Sequence, residues 1–252
     1  GLAIQPAYRM KQNVFINLPL PRLKENFDQI MAAGYSVSLF LDWQTPFINE
    51  VWIKSRIDSG NGKESSGEFY EAEAATRNLH PIMDHAAENC TEQLGVEGAW
   101  YERLPHFKMG FTPSSGKELQ SEYFVPRRHA VEAMLAVYRL REKIAPRLFI
   151  SEIRSIASDD LWMSPCRNQD SVTIHFTWKD HWPAVRQLLP QIEKELEPFH
   201  VKPHWGKLFT LSPKTLAARY EKLEEFRNFI STCDPKGKFS NEFINRNIYG
   251  RA

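Results

Sequence analysis

The stretch ISEIRSIASDDLW, Ile150 to Trp162, alternates with the period of two that a half-buried strand requires. Yet the face carrying Ile150 and Ile156 also carries Glu152 and Arg154, an acid and a base that both favour water. Two residues apart on a strand, they point to the same side, where a guanidinium can pair with the carboxylate while both still hydrogen-bond a polar ligand. Downstream, SVTIHFTW (Ser171 to Trp178) splits in the same way. Val172, Ile174, Phe176 and Trp178 form an apolar row, and Thr173, His175 and Thr177 face the other side. If the two strands pair, as their short connection suggests, one sheet face collects Glu, Arg, His and Thr, a floor suited to a ligand with many hydroxyls. In KPHWGKLF, Gly206 permits close backbone approach, and Lys207 can bring a compact cation to that floor. Each residue has a plainer reading: a surface ion pair, a structural histidine, a solvated lysine. His175 and His204 match no zinc spacing, so no metal site is expected.

Working outward, NVFINLPL (Asn13 to Leu20) reads as a strand, and Arg22 to Gly34 as a helix with Leu23, Phe27, Ile30 and Met31 on one face. YSVSLFLDW and EVWIKSRID follow as strands, giving a β-α-β-β unit. Ser59 to Gly67 has the composition of a surface loop, and Glu68 to Pro105 gives mixed signals that assign no element. A second unit repeats the order: strand ELQSEYFVP, a helix over Arg127 to Pro146, strands LFISEIRSIA and DSVTIHFTWK, a helix over Asp180 to His200, and a short strand near VKPHW. Strands in pairs with helices between them predict an α+β fold, with an antiparallel or mixed sheet covered by helices. A final helix is expected from the Ser212 cap to about Cys233, in a carboxy-terminal helical segment over 212–252.

The 32 Lys and Arg against 31 Asp and Glu nearly cancel, so bulk charge calls for neither nucleic acid nor an anionic membrane. Cys90, Cys166 and Cys233 are scattered and odd in number, which suits a reducing compartment rather than a disulfide scaffold. No apolar run approaches the roughly 20 residues of a spanning helix, and a soluble cytoplasmic protein is expected. The opening GLAIQPAYRM enters strand-like sequence without an initiator Met, as a piece cut from a longer chain would.

Seven segments then carry a resemblance: MAAGYSVSLFLDW, NCTEQLG, ERLPHFKMGFTPSSGKELQSEYFVPR, SEIRSIASDDLWMSP, HFTW, PHWGK and DPKGKFSNEF. In this order they resemble the FAD-dependent alditol (xylitol or sorbitol) oxidases, in the sugar-1,4-lactone oxidase group of vanillyl-alcohol-oxidase-like flavoproteins. The resemblance implies a carboxy-terminal substrate-binding or cap domain. Residues 1–12 would end a flavin domain or linker, 13–211 would form the cap, and 212–252 would pack on the flavin domain. It implies that Glu152, Arg154, Thr177 and Lys207 bind the polyol, and that Arg154, Lys207 and His175 serve catalysis. His175 and Lys207 would approach the flavin, with FAD held mainly by an amino-terminal domain of the same parent chain and dioxygen as acceptor. No segment resembles that flavin domain, so this stretch alone is expected to be inactive. The alternatives are a sugar-1,4-lactone oxidase or dehydrogenase, and a non-catalytic α+β binding module.

Overall fold

The computed structural model describes residues 1–58, 68–111 and 117–251. The loop expected at Ser59 to Gly67 lies outside the described residues. The chain is α+β and divides into two compact units, the first made of 1–119, 141–154 and 176–180, the second of 120–140, 155–175 and 181–252. In chain order the elements are β1 (Arg9–Pro19), α1 (Leu20–Met31), β2 (Ser36–Leu41), β3 (Phe47–Arg56), β4 (Glu68–Phe69), β5 (Ala72–Ala74), β6 (Gly98–Ala99), α2 (Trp100–Arg103) and β7 (Glu118–Pro126). There follow α3 (Ala130–Tyr138), α4 (Arg141–Ile144), β8 (Leu148–Ile156), β9 (Ser171–Lys179), α5 (Trp182–Leu196), β10 (Lys202–Pro203), α6 (Pro213–Arg219), α7 (Leu223–Cys233) and α8 (Glu242–Asn247). Both expected β-α-β-β successions are present.

In the first unit the strand order is β8-β2-β3-β1-β5-β4, with β6 on β1 and the last residues of β9 beside β8. β1 pairs with β3, β5 and β6, β2 with β3 and β8, and β4 with β5, all antiparallel. Register decides which side chains meet. Gln12 lies opposite Lys54 and Val14 opposite Trp52; Ser38 lies between Trp52 and Arg154, and Phe40 between Glu50 and Glu152. Because strand side chains alternate, these residues form one face. Val14, Phe40, Trp52 and Ile150 make its apolar part, and Ala75, Leu79, Ile82, Ala87, Cys90 and Phe107 cover it. Most of the stretch Glu68 to Pro105, which gave mixed signals in sequence, is therefore part of a covering segment of turns and very short elements that continues to Phe107 and closes a sheet face. The alternate positions Leu39, Leu41, Val51, Ile53 and Ile153 are buried on the other side. Helix α1 packs against β1 and β2 and buries the predicted stripe of Leu23, Phe27, Ile30 and Met31.

In the second unit β7 runs between β10 and β9, and α3 packs against α5. Tyr123 on β7 donates its hydroxyl to Glu193 on α5 at 2.9 Å, tying strand to helix. The helix expected over Arg127 to Pro146 is broken into a 3-10 turn, α3 and α4. The break comes where Arg139 and Leu140 donate to the carbonyls three residues back, tightening the last turn of α3. The single helix expected from Ser212 to Cys233 is likewise two, α6 and α7. Its Ser212 cap does accept from the Thr215 amide. The break falls at Tyr220, whose extended backbone (φ −111°, ψ 96°) carries the ring into a cluster with Leu216, Leu223, Ile248 and Trp205. Burial there outweighs helix propensity, since a fully buried aromatic ring is worth about 2–3 kcal/mol.

Candidate active site

Glu152 and Arg154 stand on β8 at the edge of the covered face of the first unit, with Ser38 and Phe40 opposite them on β2. Arg154 Nε lies 3.4 Å from Glu152 Oε1, an ion pair without the alignment of a hydrogen bond. The Glu152 side chain is only 10% exposed, whereas that of Arg154 is 41% exposed, so the guanidinium extends from a buried base toward solvent. Thr177 lies on the same side. Trp43 Nε1 donates to Ser151 Oγ at 2.7 Å, and its ring stacks on Phe176. Ser151 and Phe176 thus share the opposite face, and alternation turns Glu152 and Thr177 away from it together.

The acid and base of β8 have two further partners. The covering segment delivers His106, whose Nε2 is 3.0 Å from Glu152 Oε1 and whose Nδ1 is 3.0 Å from Lys54 Nζ on β3. Lys54, 2% exposed, also donates to the Leu104 carbonyl at 2.5 Å. The rings of Phe40 and Trp52 meet the imidazole edge-on at 5.4 and 5.3 Å and hold its plane. The row therefore reads Lys54, His106, Glu152, Arg154, drawn from two strands and a loop.

Burial pushes the Glu152 carboxyl upward, but the hydrogen bond from His106, the Arg154 charge and the Ser38 hydroxyl together bring it down to about 2. Burial, with Lys54 and Arg154 nearby, holds His106 below the ordinary histidine range despite the pull of Glu152. Burial brings Lys54 down to about 7, with Arg154 adding to the depression and Glu152 opposing it. On the same face Glu50, 5% exposed, accepts from Trp52 Nε1 at 2.6 Å, and burial raises its carboxyl to about 7. At neutral pH this face thus keeps one firmly ionised acceptor, Glu152, beside a partly exposed guanidinium. Such a pair can accept from one hydroxyl and donate to the next.

Lys207 belongs to the second unit. Its ammonium donates to Glu122 on β7 at 2.5 Å, and its side chain is 18% exposed against 4% for the carboxylate. The GK turn is built by His204: its amide donates to the Glu122 carbonyl, and its Nδ1 accepts from the Gly206 amide at 3.1 Å. Trp205 points away, donating to the Met163 carbonyl and packing at a 42° tilt against the Tyr220 ring. His175, half-buried on β9, also falls in the second unit. Among the described residues no group of three or more His, Cys, Asp or Glu side chains could hold a metal ion. No helix among them is long and apolar enough to cross a membrane.

Sequence reasoning missed Lys54, His106 and Glu122. Lys54 reads as an ordinary polar position of a strand, and His106 sits in a stretch without periodicity. Glu122 alone had a usable signal, as an acid directly before the apolar run Tyr123, Phe124 and Val125 of β7.

Comparison with known proteins gives the same direction as the motifs. The family model described as D-arabinono-1,4-lactone oxidase matches residues 111–247. An alditol oxidase of Streptomyces sp. is 46% identical over 96% of this chain, which covers 57% of that protein. An L-gulono-1,4-lactone dehydrogenase of Mycobacterium tuberculosis is 26% identical over 56% of the chain, covering 33% of the relative. An L-gulonolactone oxidase of Mus musculus is 23% identical over 53% of the chain, covering 31% of it. The chain thus spans little more than half of its relative from Streptomyces and about a third of the other two.

Proposed function

The chain belongs to the D-arabinono-1,4-lactone oxidase family, and on that premise we propose that it is the substrate-binding portion of an FAD-dependent alditol oxidase. The parent protein oxidises a terminal primary alcohol of a polyol such as xylitol or sorbitol to the aldehyde, and dioxygen becomes hydrogen peroxide: RCH2OH + O2 → RCHO + H2O2. One observation carries the reading: a buried, ionised carboxylate, Glu152, kept beside the half-exposed guanidinium of Arg154. Burying a carboxylate costs several kcal/mol unless it is paired, and a surface ion pair needs no such arrangement.

The flavin, when bound by an amino-terminal domain of the parent chain, supplies the two-electron acceptance and the delivery of electrons to dioxygen. Lys207 and His175 have the donor chemistry to face such a ring. Glu152 accepts from polyol hydroxyls, Arg154 donates to them, and Thr177 adds a hydrogen bond. Arg154 and Lys207 are cations suited to a developing alkoxide, and they lower the barrier insofar as they hold it more tightly than the alcohol. His175 takes the hydroxyl proton. Free thiols at Cys90, Cys166 and Cys233 suit a cytoplasmic setting.

The second reading is oxidation of a sugar-1,4-lactone, favoured by the family model and by the gulonolactone-oxidising relatives. Peroxide release by the flavin-loaded full-length protein separates the two. Xylitol turnover that disappears in Lys207→Ala with FAD still bound supports the alditol reading. Turnover of gulono- or galactono-lactone but of no polyol replaces it with the lactone reading, and a flavin-loaded protein that oxidises neither with any acceptor fits a binding module.

A further inference from the structure

We propose that His106 is a positioning residue for Glu152: it donates Nε2–H to one carboxylate oxygen, fixing the rotamer in which the remaining lone pairs meet a substrate hydroxyl, and Lys54 locks His106 in that tautomer. The inference rests on the reading of Glu152 as a polyol-binding group. The groups facing the imidazole are Ser38 on β2, Lys54 on β3 and Glu152 and Arg154 on β8, with the Leu104 carbonyl holding Lys54 from the covering segment. Below about pH 7 Lys54 is an ammonium, which can only donate, and an ionised carboxylate can only accept. The ring between them therefore accepts at Nδ1 (3.0 Å) and donates at Nε2 (3.0 Å), which is a neutral imidazole in a single tautomer. A protonated ring would set an N–H against the ammonium. Hydrogen bonds thus run one way, from Lys54 through His106 to Glu152, and end at the carboxylate that also lies 3.4 Å from Arg154 Nε. A carboxylate on a strand has free χ angles; here the edge-on rings of Phe40 and Trp52 hold the donor, and the donor holds the carboxylate.

The test compares His106→Phe, His106→Gln and Lys54→Met with wild type in the full-length, flavin-loaded enzyme, using xylitol. His106→Phe is expected to raise KM about tenfold or more, the usual effect of losing a hydrogen bond to a charged group. In that variant kcat stays within about threefold, FAD content is unchanged, and the acid limb of the kcat/KM profile moves to higher pH. Gln, which can donate and accept at similar reach, restores KM toward wild type, and Lys54→Met shifts KM in the same direction as Phe by a smaller factor. Should His106→Phe fail to fold, Lys54→Met decides. Its xylitol Kd is measured by calorimetry on the anaerobically reduced enzyme, which cannot turn over. Wild-type KM and pH profile in folded His106→Phe, or wild-type Kd in Lys54→Met, overturn the inference and leave the alditol reading standing. A flavin-loaded wild type that neither binds nor oxidises xylitol or sorbitol overturns the alditol reading and this inference with it.

Discussion

Glu50 gives a prediction that depends on neither substrate nor flavin. It is 5% exposed on β3, it accepts from Trp52 Nε1, and burial raises its carboxyl from 4.5 to about 7. Replacing it by Gln keeps the shape and the oxygen that accepts from the indole while removing the titration. The native protein holds this proton between pH 4.5 and about 7, whereas the unfolded chain has released it. The contribution of Glu50 is thus fully present below 4.5 and lost as pH rises through about 7. At ~1.4 kcal/mol for each unit, a shift of ~2.5 units is worth about 3 kcal/mol. The new amide N–H groups, without an acceptor, offset about 1 kcal/mol. Above about pH 8, Glu50→Gln should therefore be more stable by about 2 kcal/mol, a rise in Tm of roughly 4–8 °C for a chain of this size. Below about pH 4.5 the variant gains nothing and falls behind by about 1 kcal/mol. Scanning calorimetry of both proteins across this range checks it. A difference independent of pH, or a variant less stable at about pH 8, would show that Glu50 is ionised against a cation, and the desolvation argument would be wrong.

Glu152 is the opposite case: its carboxyl falls from 4.5 to about 2, so its contribution is present above 4.5 and disappears as pH falls through about 2. It amounts to about 3 kcal/mol, and in acid titrations followed by near-UV circular dichroism Glu152→Gln should flatten the wild-type loss of stability. Gly34→Ala should destabilise by about 1–3 kcal/mol, measured by urea denaturation, because a Cβ there meets Ile53 Cγ2 at 2.7 Å and the Lys54 carbonyl oxygen at 2.8 Å. Trp43→Phe removes the donor to Ser151 Oγ at 2.7 Å and should cost about 1–3 kcal/mol in the same assay, most of which Ser151→Ala in the same chain recovers. Glu122→Gln weakens the hold on Lys207 at 2.5 Å; the expected outcome is a rise of several-fold in KM for xylitol, with FAD content unchanged, in peroxide-release kinetics.

The legible parts of the fold are those where periodicity is strong and local. Leu23, Phe27, Ile30 and Met31 repeat at helical spacing and are the buried stripe of α1, and the alternation around Glu152 and Arg154 places both on one face. Boundaries decided by distant contacts were not legible: Tyr220 breaks a helix to reach the cluster with Leu216 and Trp205, and nothing within a few residues of it announces that. Lys54 and His106 are 52 residues apart, and His106 and Glu152 46. No window of sequence contains such a pair, and the segment bringing His106 to the sheet has almost no regular structure to signal where it goes. The sequence therefore exposed one end of the candidate site, Glu152 and Arg154 on β8, and hid Lys54 and His106 at the other.

That division explains how β8 tolerates a carboxylate on an apolar face. A strand that buried Glu152 against Phe40 and Ile150 alone would protonate it, as burial does to Glu50 two strands away, across β2. The two acids lie on the same face, each beside Phe40, and differ chiefly in what the covering segment brings to them. Glu50 receives an indole N–H from its own strand, whereas Glu152 receives an imidazole N–H, a serine hydroxyl and a guanidinium. Donors, not depth, thus decide which carboxyl remains an anion at neutral pH. An ionised acceptor beside a guanidinium that reaches solvent is of use to a ligand rich in hydroxyls. Replacing a purely structural ion pair here with apolar side chains would be neutral or stabilising, and the charged pair on β8 is the feature that the proposed binding role accounts for.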